Sequence, residues 1–376
     1  METSGRSVLF CGDNWMARRP DEETVSIDGP AADADGEPHC FAGPVRARHM
    51  DSVLVIGGGR FIGRHTVTEF RDAGYDVTML TRGQRSNPFA DTDVAHVKGD
   101  RRERATLETA RDRVEPDVVI DCVAYFPEDV RVATDVFADV DAYVYISSGA
   151  AYGAERTPKR EGETPLAGCT AEQATTDSAA TYGPRKAEGD REVFAAAEDG
   201  VRAMSVRPTV VYGPYDYTER FAYWVDRVAE HDRLVVPSGG LSLWQMAYVE
   251  DVASALRLAA ERGTAGEAYN VGDEHAPTLR EWIDLLARVH DTSVKAIGVG
   301  ERELAAAGLD PDDFPIYRDS PHLLSTAKLR ELGWSSTPHE TALAVTVAEH
   351  RENDRTGREF GPDRDTEAAL LDRLTE

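Results

Sequence analysis

Residues 53–56, VLVI, run directly into Gly57, Gly58 and Gly59, after which Arg60, Phe61, Ile62 and Gly63 open an amphipathic stretch. A buried strand that breaks into glycines and restarts as a helix constrains this chain more than any other feature, because the same rhythm then repeats. Short β-branched runs follow: DVTML (76–80), VAHV (94–97), DVVIDCV (117–123) and AYVYISS (142–148). Helical stretches such as RHTVTEFRDAG (64–74) and RRERATLETARDRV (101–114) separate them. Continuous apolar strands alternating with helices predict repeated βαβ units, with the sheet covered on both faces.

The expected fold class is therefore α/β, a Rossmann-type doubly wound parallel sheet. A sixth strand, VRAMSVRP (201–208), follows a long helical segment from Tyr182 to Asp199. Beyond about residue 212 the elements shorten, and residues 212–350 read as a smaller C-terminal α/β substrate lobe, interleaved with the dinucleotide-binding core of residues 50–211. Residues 351–376 read as a C-terminal helical tail. Residues 1–49 differ from the rest: RRPDEETVSIDGPAADADGEPH (18–39) is charged, aperiodic and rich in small residues, so a disordered leader is expected. Met50 directly before the first strand suggests a working protein that starts there, a hypothesis that N-terminal sequencing showing an intact Met1 would remove.

Composition narrows the partners. Asp and Glu number 68 against 42 Lys and Arg, for a net charge of −26, and only five of the basic residues are lysine. Such a charge repels nucleic acid and anionic membranes. It also resembles the acidic, lysine-poor surfaces of proteins from salt-accumulating halophiles. No apolar run approaches the roughly 18 residues of a membrane span, and the N-terminal stretch lacks a basic head followed by an apolar core. A soluble, cytoplasmic protein without nucleic-acid or membrane partners is expected. Cys11, Cys40, Cys122 and Cys169 are scattered without paired spacing, so neither a disulfide frame nor a metal site is indicated.

Glycines between a first strand and first helix let backbone amides approach a pyrophosphate, which also gains from the helix N-terminus. The second strand ends in Thr81 and Arg82, with no carboxylate to grip an NAD ribose. An arginine there welcomes a 2′-phosphate, so NADP is favoured over NAD, with Arg82 and Arg60 as candidate phosphate partners. Asp100, closing the third strand, is a candidate acceptor for the adenine amino group.

TYGPRKAEGDRE places Tyr182 and Lys186 four residues apart, on one helix face. A tyrosine is a poor base at neutral pH unless a nearby ammonium favours the phenolate. Ser148, at the mouth of the fifth strand, offers a hydroxyl to orient a substrate oxygen.

With these residues in view, the chain resembles the extended branch of the short-chain dehydrogenase/reductases, the NAD-dependent epimerase/dehydratase family. The resemblance rests on GGGRFIG (57–63), DVVIDCVAY (117–125), ISSGAAYG (146–153) with YGPRK (182–186), RPTVVYGP (207–214), and MAYVEDVASAL (246–256) followed by AYNVG (268–272). It implies that Ser148, Tyr182 and Lys186 form the catalytic set, that Ala124 lies near the cofactor and that Pro208 lies near the nicotinamide. Hydride would pass between the nicotinamide and a carbinol carbon of a sugar-like or nucleotide-sugar substrate, and a homodimer is the family expectation. Alternatively, the chain is an NADPH-dependent reductase of a non-sugar carbonyl.

The departures bear on the substrate. Gly149 and Ala150 stand where dehydratases of this family carry an acidic pair. Val210 and Trp244 stand where many of its epimerases place a substrate-holding asparagine and arginine. The stretch AGCTAEQATTDSAA (167–180) lengthens the serine-to-tyrosine gap. The Gly-Gly-x-Arg-Phe-Ile-Gly turn also resembles an atypical subgroup that includes chloroplast stem-loop RNA-binding proteins. That likeness supplies a non-catalytic alternative, against which the net charge and the Tyr182/Lys186 pair argue.

Overall fold

The computed structural model describes residues 50–375, so the expectations for residues 1–49 lie outside the described residues. Strands Ser52–Ile56 (β1), Asp76–Thr81 (β2), Ala95–Lys98 (β3), Val118–Asp121 (β4), Ala142–Ile146 (β5) and Ala203–Pro208 (β6) fall on the apolar runs of the sequence. The connecting helices are Phe61–Asp72 (α1), Arg104–Val114 (α2), Pro127–Val136 (α3), the short Ala171–Thr175 (α4) and the long Ala179–Glu198 (α5). Helix α5 starts three residues before Tyr182 because Ser178 caps it, its Oγ accepting from the Thr181 N–H at 3.3 Å.

After β6 the chain makes Val210–Tyr212 (β7), Ala222–Glu230 (α6), Arg233–Pro237 (β8), Met246–Tyr248 (β9) and Val249–Arg262 (α7). It then returns to the main sheet as Ala268–Val271 (β10). The sheet is parallel throughout, in the order β10-β6-β5-β4-β1-β2-β3. Successive strand residues point to opposite faces. Val53, Val55, Val77, Met79, Val118 and Ile120 therefore pack towards α1 and α7, while Leu54, Ile56, Leu80, Val119, Tyr143 and Tyr145 pack towards α2, α3 and α5. Both faces being buried is why the strands lack polar alternation.

Parallel pairs β7–β9 and β8–β11 (Lys295–Val299) lie outside the main sheet. They pack with Leu279–Val289 (α8), Glu301–Ala306 (α9), Ala327–Glu331 (α10) and His339–Glu352 (α11). The span 212–350 thus holds both outer elements and α7 with β10, which are part of the core. The tail ends in Arg364–Thr375 (α12), docked on β8 by Glu367, which accepts from the Val235 N–H at 2.8 Å and pairs with Arg227 at 3.1 Å. Among the described residues no helix is long and apolar enough to cross a membrane, and no cluster of potential ligands could hold a metal ion.

The strand order reverses between β1 and β4. In an open α/β sheet the carboxyl ends of the strands on either side of such a reversal leave a crevice, and ligands bind there.

Candidate active site

A cleft of about 470 Å³ opens at that reversal. Ile56 and Gly57 end β1 on one side, Cys122 and Val123 follow β4 on the other, and Thr81 and Arg82 end β2. The turn holding it together has no room for side chains. A Cβ at Gly57, whose φ is +94°, would lie 2.5 Å from Val123 Cγ1; one at Gly63 would lie 2.2 Å from the Gly57 carbonyl oxygen. A Cβ at Gly59 would only touch Thr81 Cγ2, at 3.5 Å, whereas Gly58 packs into the seam against Val67 and Met79 and does not border the cleft.

The N-cap of α1 is Arg60, in extended backbone and without a side-chain cap. An arginine is donor-only and cannot accept from the first amides of the helix, which have no intrahelical acceptors. That end of α1 therefore presents unpaired N–H groups and a positive partial charge. Phe61, Ile62 and Gly63 border the cleft beside it. The cleft is cationic in a protein of net charge −26: Arg60, Arg82, Arg85, Arg101 and Arg102 line it, against the one carboxylate of Asp100.

Arg82 and Arg85 are exposed and make no hydrogen bond or ion pair with any described residue. Thr81 Oγ1 is bonded to His96 Nε2 at 2.8 Å, and the Asp100 carboxylate accepts from the Arg102 N–H at 3.0 Å. Arg60, expected beside Arg82, borders the cleft with one face of its guanidinium engaged. Its guanidinium carbon lies 3.5 Å from the ring centroid of Tyr217, which comes from the segment after β7.

A second groove, of about 330 Å³, is lined by Tyr182, Ser178, Asp177 and Arg185, and shares Arg102 and Tyr125 with the cleft. Ser148 caps a short 3-10 turn, Gly149–Ala151, after β5, and its Oγ accepts from the Ala150 N–H at 3.2 Å. Helix α5 comes close to this turn because of Gly183, where a Cβ would lie 2.5 Å from the Ala150 carbonyl oxygen. This close approach brings the Tyr182 hydroxyl near that of Ser148. Burial raises the Tyr182 phenol above its ordinary pKa, while the Ser148 hydroxyl and the charges of Arg220 and Arg185 pull it down.

Lys186 is buried, and its Nζ donates to the carbonyls of Ala124 at 2.9 Å and Ile146 at 2.7 Å. Burial pushes its pKa down to about 8, opposed by Asp121 and Asp190. The expected lowering of the tyrosine by this ammonium is not what the structure displays: Nζ stays 5.9 Å from the Tyr182 ring centroid, with its donors on strand-end carbonyls.

Other expected positions lie apart. The Ala124 side chain is in the core, and only its carbonyl, held by Lys186, faces the site. Pro208 ends β6 paired with Val271 and borders neither cavity. Val210 pairs with Met246 in β7–β9, and Trp244 packs against His322, with Arg318 near its ring. Neither borders the two cavities.

Sequence reading missed Arg101, whose guanidinium pairs with Asp121 and, at 3.1 Å, with Asp129 beneath the cleft. The Tyr143 hydroxyl donates to Asp121 at 3.1 Å. Arg101 directly follows Asp100, but nothing local marks its distant partners. Tyr125 and Tyr217 were missed for the same reason.

A switch-point cleft with a glycine turn, and a hydroxyl pair at its edge, define a nucleotide-binding α/β protein. The chain belongs to the NAD dependent epimerase/dehydratase family, whose profile matches residues 53–272, and it is an NAD(P)-binding member of it. The chloroplast stem-loop binding protein of 41 kDa b from Arabidopsis thaliana is 25% identical over 77% of this chain and 76% of its own. A low-salt glycan biosynthesis protein of Haloferax volcanii is 26% identical over 75% of this chain and 92% of its own. The fold is shared with a dTDP-glucose 4,6-dehydratase from Bacillus anthracis solved in complex with NAD, at a TM-score of 0.64 and 20% identity, covering 83% of this chain and 98% of that one.

Proposed function

We propose that this protein is an NAD(P)-dependent oxidoreductase or epimerase that moves hydride at a carbinol carbon of a sugar-like or nucleotide-sugar substrate. The observation that carries this reading is the close approach of α5 to the Ser148 turn at Gly183, which sets Tyr182 on a groove that shares Arg102 and Tyr125 with the dinucleotide cleft. Relatives named as dTDP-glucose 4,6-dehydratases, such as that of Xanthomonas campestris, support the substrate class.

The residues fit the cofactor. The glycine turn and open N–H groups at the start of α1 suit a pyrophosphate, and the cationic lining suits its charge. A bound nicotinamide supplies the acceptor or donor of hydride. Tyr182 acts as the phenolate, which the positive charge of an oxidised nicotinamide would favour: its Oη takes the proton from the substrate hydroxyl as hydride leaves the carbon, and the phenol returns it in the reverse direction. Ser148 Oγ holds the same oxygen. Lys186 holds the ends of β4 and β5 in register beneath the pair. Dehydration is not part of this reading, because Gly149 and Ala150 carry no carboxylate to assist loss of water.

NADP is the preferred form in this proposal, since Arg82 and Arg85 stand unpaired at the end of β2. The binding core spans 50–211 with α7 and β10, and the remainder of 212–350 holds the substrate. A nucleic-acid-binding role is favoured only by the stem-loop relative, and a net charge of −26 opposes it.

The test incubates the purified protein with UDP- and dTDP-hexoses and either NAD or NADP, and separately with simple carbonyls and NADH or NADPH, following epimers by NMR and reduced cofactor by absorbance. Hydride transfer on at least one sugar nucleotide supports the reading. Cofactor binding without turnover on any sugar nucleotide, alongside reduction of simple carbonyls, would replace it with the reductase.

A further inference from the structure

Between β7 and α6 the chain runs through Gly213–Arg220 without regular structure and lies along the first turns of α1. His65 Nε2 is bonded to the Pro214 carbonyl at 3.1 Å. The guanidinium carbon of Arg64 lies 3.6 Å from the ring centroid of Tyr215, and that of Arg60 lies 3.5 Å from the ring centroid of Tyr217. Arg60 and Arg64 are one helical turn apart, and Tyr215 and Tyr217 are two residues apart in sequence. The two stacks thus form a ladder between α1 and this strap.

The strap also reaches the opposite wall of the cleft. Tyr217 from the strap and Tyr125, which follows β4, line the cleft together. On the lobe side, the Asp216 carboxylate accepts from Thr218 N–H at 2.8 Å and Thr218 Oγ1 at 2.7 Å, while Arg355 donates to the Asp216 carbonyl. Tyr215 and Glu219 have φ of +64° and +53°, a sparsely populated backbone region that persists where surrounding contacts hold it.

The Arg60 carbonyl accepts from the Arg64 N–H at 3.0 Å, but its guanidinium makes no hydrogen bond or ion pair with any described residue. Stacking engages the face of a guanidinium and leaves its N–H edge free. Here that edge belongs to the N-cap of α1, beside amides without acceptors. A donor-only side chain at a helix N-cap is costly unless an anion shares the site, and the tyrosine stack fixes where the charge stands.

We propose that Tyr217 is a positioning residue: stacked on Arg60, it holds that guanidinium at the glycine turn, and the fastened strap retains the dinucleotide from one turnover to the next. This rests on the dinucleotide reading of the cleft and deepens it. A retained cofactor returns its hydride to the substrate that gave it, so the strap favours epimerisation over net reduction.

The experiment measures release of NADPH and of NADH from the full chain, by stopped-flow displacement with excess oxidised cofactor and cofactor fluorescence. Tyr217→Ala and Arg60→Gly should each speed release about two- to fivefold, the scale of an exposed cation–π pair, and the double variant should be no faster than either. Tyr217→Trp should restore slow release, whereas Tyr217→Leu, with apolar bulk and no π face, should not. Wild-type release rates in Tyr217→Ala or Tyr217→Leu, or additive effects in the double variant, would overturn the proposal. A wild-type chain that binds neither cofactor in titration would remove the dinucleotide reading and the strap with it, a result recognisable before any variant is made.

Discussion

Lys186 Nζ donates to the carbonyl oxygen of Ile146 at 2.7 Å, fastening the middle of α5 to the last residue of β5. The same ammonium holds Ala124 beyond β4, so one buried cation joins a helix to two strand ends at the mouth of the cleft. Its placement leads to a first prediction.

The folded pKa of Lys186 lies near 8, below its ordinary 10.5. Between those values the unfolded chain binds more protons than the folded one, and stability rises with pH. Wild type should therefore gain stability relative to Lys186→Met between about pH 8 and 10.5, by on the order of 3 kcal/mol. Urea midpoints of both proteins at pH 7 and 10 give the comparison, and an unchanging difference would place the ammonium in water-like surroundings.

Tyr182→Phe removes the proton carrier and leaves the ring that lines the groove. Turnover on any accepted sugar nucleotide should fall roughly 10²–10⁴-fold, the usual worth of a positioned acid–base group, with cofactor affinity within about twofold of wild type. Steady-state kinetics with a parallel fluorescence titration separate the two effects. Full turnover in this variant would end the assignment.

Arg82→Ala and Arg85→Ala should weaken NADPH about tenfold each, because each removes a charge-assisted bond to the 2′-phosphate, and should leave NADH almost unchanged. Equal losses for both cofactors would move these arginines from the 2′-phosphate to another part of the dinucleotide. Equilibrium titrations in constant salt are needed, since these contacts are screened.

His65, buried under Pro214, is held neutral by burial, which pushes its pKa down to about 4 from 6.5. In that window the unfolded histidine is protonated and the folded one is not, so stability falls as the pH drops from 6.5 towards 4 and then levels. His65→Gln can still donate to the Pro214 carbonyl and has no proton to gain. Its stability should decline less over the same range, by roughly 2–3 kcal/mol. Thermal melts between pH 4 and 7 would display the difference, and parallel curves would contradict it.

Much of the cleft was legible because its parts are local. Gly57, Gly59 and Gly63 sit in one turn, Thr81 and Arg82 end one strand, and Tyr182 and Lys186 share a helix face. The start of α5 was legible too, in the Ser178 cap, but reading from Tyr182 passed over it. Arg101 was not, because its partners Asp121 and Asp129 come from other elements. The partner of Arg60 was hidden for the same reason: its place beside the glycine turn is local, but Tyr217, far along the chain, takes its face.

The sequence by itself determined the alternation of strand and helix, the glycine turn and the order in which the candidate residues meet the sheet. Those follow from side-chain period and backbone freedom over a few residues. Only the tertiary structure decided that Gly183 lets α5 approach the Ser148 turn, that Lys186 spends its donors on strand ends, and that the strap reaches back to α1. These depend on which surfaces pack together once the chain has closed, and no local pattern encodes a contact between residues that distant.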